Sequence, residues 1–148
     1  MKYHPAQGHA PSAKGCLRSV EAAYKYLVES LKIPASRIVL YGRSIGSGPT
    51  LHLASRPYCQ HAVGGVVVEC GVLSVLRVVL GNAAPVARLL DFFRNEKVIG
   101  RVSRPVAVMH GRNDRVVPYT HGEALHGLVR CLFVCRIDLD VVFWSDLG

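Results

Sequence analysis

The chain has 148 residues, half of them hydrophobic and 19% charged, with a formal net charge of +8. That length and balance suit one domain with a sizeable core and exclude a disordered chain. No apolar run reaches the roughly 18–20 residues that span a bilayer. Met1 to Gly15 lacks the apolar stretch of a secretory signal, so the expected location is cytoplasmic, extending to the membrane periphery.

The positive charge raises nucleic acid or an anionic membrane as partners. The basic residues are scattered, without a run of five and without an aromatic-interleaved stripe. The expectation is therefore no nucleic-acid partner and at most weak contact with anionic headgroups. Five cysteines (16, 59, 70, 131 and 135) are irregularly spaced. They form neither a metal pattern nor a disulfide framework, and no metal or cofactor is expected. Cys131 and Cys135 stand four apart without a second pair and read as buried thiols.

In chain order, residues 1–13 read as a loop. Leu17, Val20, Tyr24, Leu27, Val28 and Leu31 share one helical face, which predicts a helix over 14–31, and Pro34 ends it. Ile38-Val39-Leu40-Tyr41 reads as a strand buried on both faces of a parallel sheet. A glycine-dense turn follows, and a helix with Pro49 in its first turn runs to about Ser55. Val63 to Val68 and Pro105 to His110 predict two further strands. Helices are expected within Val86 to Phe93 and over Tyr119 to Val129. Leu132 to Ile137 or Val141 to Trp144 supplies a fourth strand. Alternating strands and helices predict an α/β fold, a mostly parallel sheet with helices on both faces. The whole of 1–148 is expected to be one domain, with 130–148 as a divergent tail.

Gly42-Arg43-Ser44-Ile45-Gly46 is a Gly-x-Ser-x-Gly motif between a predicted strand and a predicted helix. In that context a sharp turn exposes the serine Oγ, and the flanking glycines avoid collisions with neighbouring elements. Ser44 is the candidate nucleophile. The N–H of Ile45, at a helix start, would face a developing oxyanion. A phosphate-binding loop is excluded because Pro49 and Thr50 stand where Lys and Ser/Thr are needed. A dinucleotide fingerprint fails because Leu51 occupies the third glycine position.

Asp114 lies in a turn just after the third predicted strand. A carboxylate at the C-terminal end of a parallel strand can orient a histidine and stabilise its charged form. The alternative is a turn aspartate that caps the next helix.

The segment Leu40-Tyr41-Gly42-Arg43-Ser44-Ile45-Gly46-Ser47-Gly48-Pro49-Thr50-Leu51 resembles the α/β-hydrolase domain-containing type 17 and Bem46-like branch of the α/β-hydrolases. So do Phe92-Phe93-Arg94-Asn95-Glu96-Lys97-Val98, His110-Gly111 and His121-Gly122-Glu123-Ala124-Leu125. The resemblance covers roughly residues 15–129. It implies a partial α/β-hydrolase fold of serine aminopeptidase-like type, truncated at its start. It also implies a serine hydrolase of acyl esters or thioesters, with lipidated proteins among its substrates. Ser44 and Asp114 match the family's nucleophile and acid.

The family order Ser…Asp…His requires a histidine about 25–30 residues after Asp114. That window reads Leu139-Asp140-Val141-Val142-Phe143-Trp144, and the last histidine is His126. His121 and His126 follow Asp114 too closely to have returned across the sheet, and His110 reads as structural. The family's first strands and the loop giving a second oxyanion N–H would precede residue 1. A catalytically inactive fragment or binding protein is therefore the alternative function. Val72, Leu73, Val75, Leu76 and Phe92 are apolar enough for an acyl site, though core packing is the commoner use of such residues.

Overall fold

A computed structural model describes residues 12–74, 93–130 and 141–144 of the chain. Ser12 opens the first helix, α1 (Ala13–Lys25), by accepting the Gly15 N–H on its Oγ at 3.0 Å. The expected single helix over 14–31 changes character at its end. Tyr26–Ser30 is wound as a π turn, in which the Leu31 N–H reaches back to the Tyr26 carbonyl at 3.0 Å. Tyr24, Val20, Leu27 and Val28 pack against Ile38, Leu53, Cys59 and Val63.

Three short strands rich in valine form the parallel part of the sheet: β1 (Val39–Arg43), β2 (Gly65–Glu69) and β3 (Val106–Gly111). The fourth, β4 (Val141–Trp144), pairs antiparallel to β3, with Trp144 beside Val108. The spatial order is β1-β2-β3-β4. The helices between them are α2 (Ser47–Ala54), the single turn α3 (Asn95–Val98) and α4 (Tyr119–Leu128). The α/β class and the mostly parallel sheet are as the sequence predicts.

The main core lies on one face of the sheet. Val66, Val68, Val106 and Val108 meet Leu51 and Ala54 of α2, Ile99, and Leu125 of α4. Fully burying each leucine or isoleucine there is worth roughly 1.5–3 kcal/mol. The opposite face of β1 departs from expectation. Val39 is 59% exposed and Tyr41 57%, so β1 is not buried on both sides. The described helices that touch the sheet pack against the alternate residues, Leu40 among them. An apolar run alone does not say how many faces are covered.

The expected helix within Val86 to Phe93 and the strand over Leu132 to Ile137 fall almost wholly outside the described residues. So do residues 1–11 of the leading loop, and Cys131 and Cys135. Among the described residues no helix is long and apolar enough to cross a membrane.

Candidate active site

The candidate residues lie at the C-terminal ends of the parallel strands. Ser44 follows β1 directly and has φ of +50°, in the left-handed region that side chains disfavour. A short 3₁₀ turn, Ser44–Gly46, then leads into α2. Ser44 is half-buried, and Ile45 is 60% exposed. The strained serine between strand and helix is the geometry that the Gly-x-Ser-x-Gly motif predicts.

The glycines of the turn play unequal parts. A Cβ at Gly42 would lie 2.6 Å from Thr50 Oγ1 and 2.8 Å from the Gly46 carbonyl oxygen. A Cβ at Gly48 would collide with the Phe93 ring. At Gly46 a Cβ would meet no atom within 4 Å, and its φ of −64° suits any residue. The expectation that both motif glycines relieve collisions therefore holds for Gly42 and not, among the described residues, for Gly46.

Asp114 sits three residues beyond β3. Its Oδ1 accepts the N–H groups of Val116 at 2.8 Å and Val117 at 2.9 Å, so the carboxylate organises its own turn. It does not cap α4, whose N-cap position is Pro118. The other oxygen, Oδ2, lies 3.9 Å from His110 Nε2. Burial pushes the carboxyl up. The Val117 and Val116 N–H groups, the Cys70 thiol and His110 outweigh it and hold Asp114 below its ordinary value.

No direct contact joins Ser44 to Asp114 among the described residues. They end the first and third of three adjacent parallel strands, so the strand axes stand roughly 9–10 Å apart. The ends of both strands face the same edge of the sheet. Between them, at the end of β2, stands Cys70, with φ of +45°. Glu69 pairs with Arg43 at 3.7 Å and also accepts the Tyr41 hydroxyl, which flanks the elbow with a polar rim.

Ligand atoms of Cys70, His110 and Asp114 lie within 4.8 Å of one another, a grouping that the cysteine spacing did not reveal. His110 is fully buried, and its Nε2 faces the Val117 carbonyl at 2.9 Å. A carbonyl only accepts, so that nitrogen carries the proton and has no lone pair to offer a cation. Burial pushes the Cys70 thiol up, the Gly111 backbone opposes this, and Asp114 raises it again. A protonated thiol is a poor ligand and a poor nucleophile. The cluster in this state is a hydrogen-bonded anchor for the Asp114 turn.

His121 is buried, and its Nδ1 accepts the Leu73 N–H at 3.2 Å, consistent with a helix-packing role. Val72 and Leu73 are 3% and 7% exposed, so both belong to the core. Val75, Leu76 and Phe92 lie outside the described residues.

Two buried residues were not singled out by their chemistry. Ser47 and Asn95 are fully buried and bonded to each other beneath the elbow. The only sequence signal for Asn95 is its place in the Phe92 to Val98 segment.

A strand–elbow–helix at the end of a parallel sheet, with an acid two strands away, defines an α/β-hydrolase-type fold. No protein-family model matches the chain. It is 34% identical over 116 residues to the α/β hydrolase domain-containing protein 17C of Homo sapiens, covering 78% of this chain and 34% of that protein. It is 27% identical over 124 residues to a putative α/β hydrolase of Acanthamoeba polyphaga mimivirus, covering 84% of this chain and 45% of the relative. The crystal structure of an esterase domain from a Rhodothermus marinus protein superposes with a TM-score of 0.55 at 18% identity, covering 77% of this chain and 53% of that one. The chain belongs to the α/β-hydrolase superfamily and is related to its domain-containing 17 proteins. It spans about a third of the length of those relatives.

Proposed function

We propose that this chain carries the nucleophile and acid of a serine hydrolase acting on acyl esters or thioesters. The observation that carries the reading is the left-handed Ser44, at φ of +50°, between β1 and α2. A residue kept in that conformation by its surroundings commonly marks a functional position.

In this reading Ser44 Oγ attacks the acyl carbonyl. The Ile45 N–H, at the start of the helical turn, stabilises the oxyanion. Asp114, ionised at neutral pH, is the group that would orient a histidine general base and stabilise its imidazolium, although residues 127–148 contain no histidine to fill that place. His110 does not fill that role, because its Nε2 proton is committed to the Val117 carbonyl. Expulsion of the leaving alcohol or thiol, and then attack of water on the acyl-enzyme, would each need such a histidine to carry the proton. The substrate class includes long acyl thioesters such as those on lipidated proteins. The scattered positive surface favours weak contact with anionic headgroups, at the membrane periphery of the cytoplasm.

A second reading, a binding protein on the same fold, is favoured by one observation: no histidine follows His126. Hydrolysis of a short-chain aryl ester and of a palmitoyl thioester separates the two. The hydrolase reading expects turnover that Ser44→Ala abolishes and Asp114→Ala lowers by roughly 10²–10⁴-fold. Folded protein with no turnover above buffer on either substrate supports the binding reading.

A further inference from the structure

Beneath the elbow, the Ser47 hydroxyl makes three contacts in a fully buried setting. Its Oγ lies 2.6 Å from the Ser44 carbonyl oxygen, 3.0 Å from Asn95 Nδ2 and 3.3 Å from the Val72 nitrogen. Asn95 Nδ2 also reaches the Val72 carbonyl at 2.7 Å.

The direction of every bond follows from donor and acceptor inventory. The Val72 carbonyl only accepts, so the amide atom facing it must be the nitrogen. That nitrogen gives its second proton to Ser47 Oγ. The Val72 N–H occupies the other lone pair of the same oxygen. The hydroxyl proton is left one direction, toward the Ser44 carbonyl. Two donors from outside the helix thus fix a third bond onto the backbone of the strained residue.

We propose that Ser47 and Asn95 form a buried clamp that holds Ser44 in its left-handed conformation, which makes Asn95 a positioning residue for the nucleophile. The inference rests on reading Ser44 as that nucleophile. Among the described residues, Asn95 Oδ1 is buried without a hydrogen-bond partner. An apolar side chain would avoid that penalty, so the amide is kept for what its nitrogen does. The Val72–Leu73 segment is itself tied to α4 through the Leu73 N–H and His121 Nδ1. The clamp therefore links the elbow, the end of β2, α3 and α4. Ser47 and Asn95 touch no reacting atom, and they act only through the Ser44 backbone.

Asn95→Ala, Ser47→Ala and the double variant test the clamp with two readouts. The first is the ¹³Cα and ¹³Cβ shifts of Ser44 and the amide resonance of Ile45, which need no activity. The second is the phosphonylation of Ser44 by a fluorophosphonate, resolved into its maximal rate and its half-saturating concentration. Each single variant is expected to move the Ser44 shifts away from left-handed values. Each should slow maximal phosphonylation roughly tenfold or more, with half-saturation within about twofold. The double variant should be no worse than either single, because both remove one device. Ser47→Ala deletes a single oxygen and gives the answer where Asn95→Ala does not fold. Ser44 shifts unmoved in a folded single variant, or rate losses that add, would overturn the clamp. Wild-type protein that is never phosphonylated at Ser44 sinks the nucleophile reading instead, and the chemical shifts still decide whether the clamp exists.

Discussion

Asp114 Oδ2 lies 3.9 Å from His110 Nε2, yet the imidazole gives its proton to the Val117 carbonyl at 2.9 Å. The histidine thereby ties the end of β3 to the far end of the turn that carries Asp114. His110→Leu removes that bond and leaves a carbonyl without a partner. The expected loss is about 1–3 kcal/mol of stability, read from the urea midpoint. A midpoint equal to wild type would show that the bond holds nothing.

Asp114 predicts an acid-sensitive contribution to stability. Its folded carboxyl titrates below the ordinary value of 3.8 because its hydrogen bonds and His110 outweigh burial. A depressed folded value means the contribution is complete above the unfolded value and is lost as pH falls through the folded one. Asp114→Asn keeps an oxygen for the Val116 and Val117 N–H groups and removes the charge. Wild type should exceed this variant by about 1 kcal/mol near pH 7, and the gap should close below about pH 4. Urea denaturation at a series of pH values checks it, and a gap that widens in acid contradicts it.

The two glycines of the elbow motif predict opposite outcomes. Gly42→Ala places a Cβ 2.6 Å from Thr50 Oγ1, and overpacking of this kind costs about 1–3 kcal/mol. Gly46→Ala meets none of the described residues within 4 Å, in a helical conformation, and should be neutral or stabilising by up to about 1 kcal/mol. Thermal melts of the two variants distinguish them, and equal losses would be inconsistent with this packing.

The exposed face of β1 makes a further contrast. Val39→Lys, at a site 59% exposed, should change stability by no more than about 0.5 kcal/mol. Val66→Lys buries an unpaired charge in the core and should prevent folding. Circular dichroism of the two variants suffices.

Local signals in the sequence carried much of this fold. The valine runs marked β2 and β3, and Pro49 marked the first turn of α2. The glycine spacing located the elbow because strand, turn and helix are contiguous there. What escaped depends on contacts between distant segments. The exposure of Tyr41 depends on which helices return to which face. The union of Ser47 with Asn95 spans 48 positions, and no periodicity links a serine in one helix to an asparagine in another. The irregular cysteine spacing carries no sign that β2 and β3 bring Cys70 beside Asp114. His110 was readable as structural because it ends an apolar strand, but its carbonyl partner was not.

The most direct test of the central claim is the mass of the peptide containing Ser44 after exposure of the folded protein to a fluorophosphonate. A phosphonyl adduct on Ser44, lost in Ser44→Ala, is the predicted result. Folded wild-type protein with no adduct, or labelling that persists unchanged in Ser44→Ala, would contradict it.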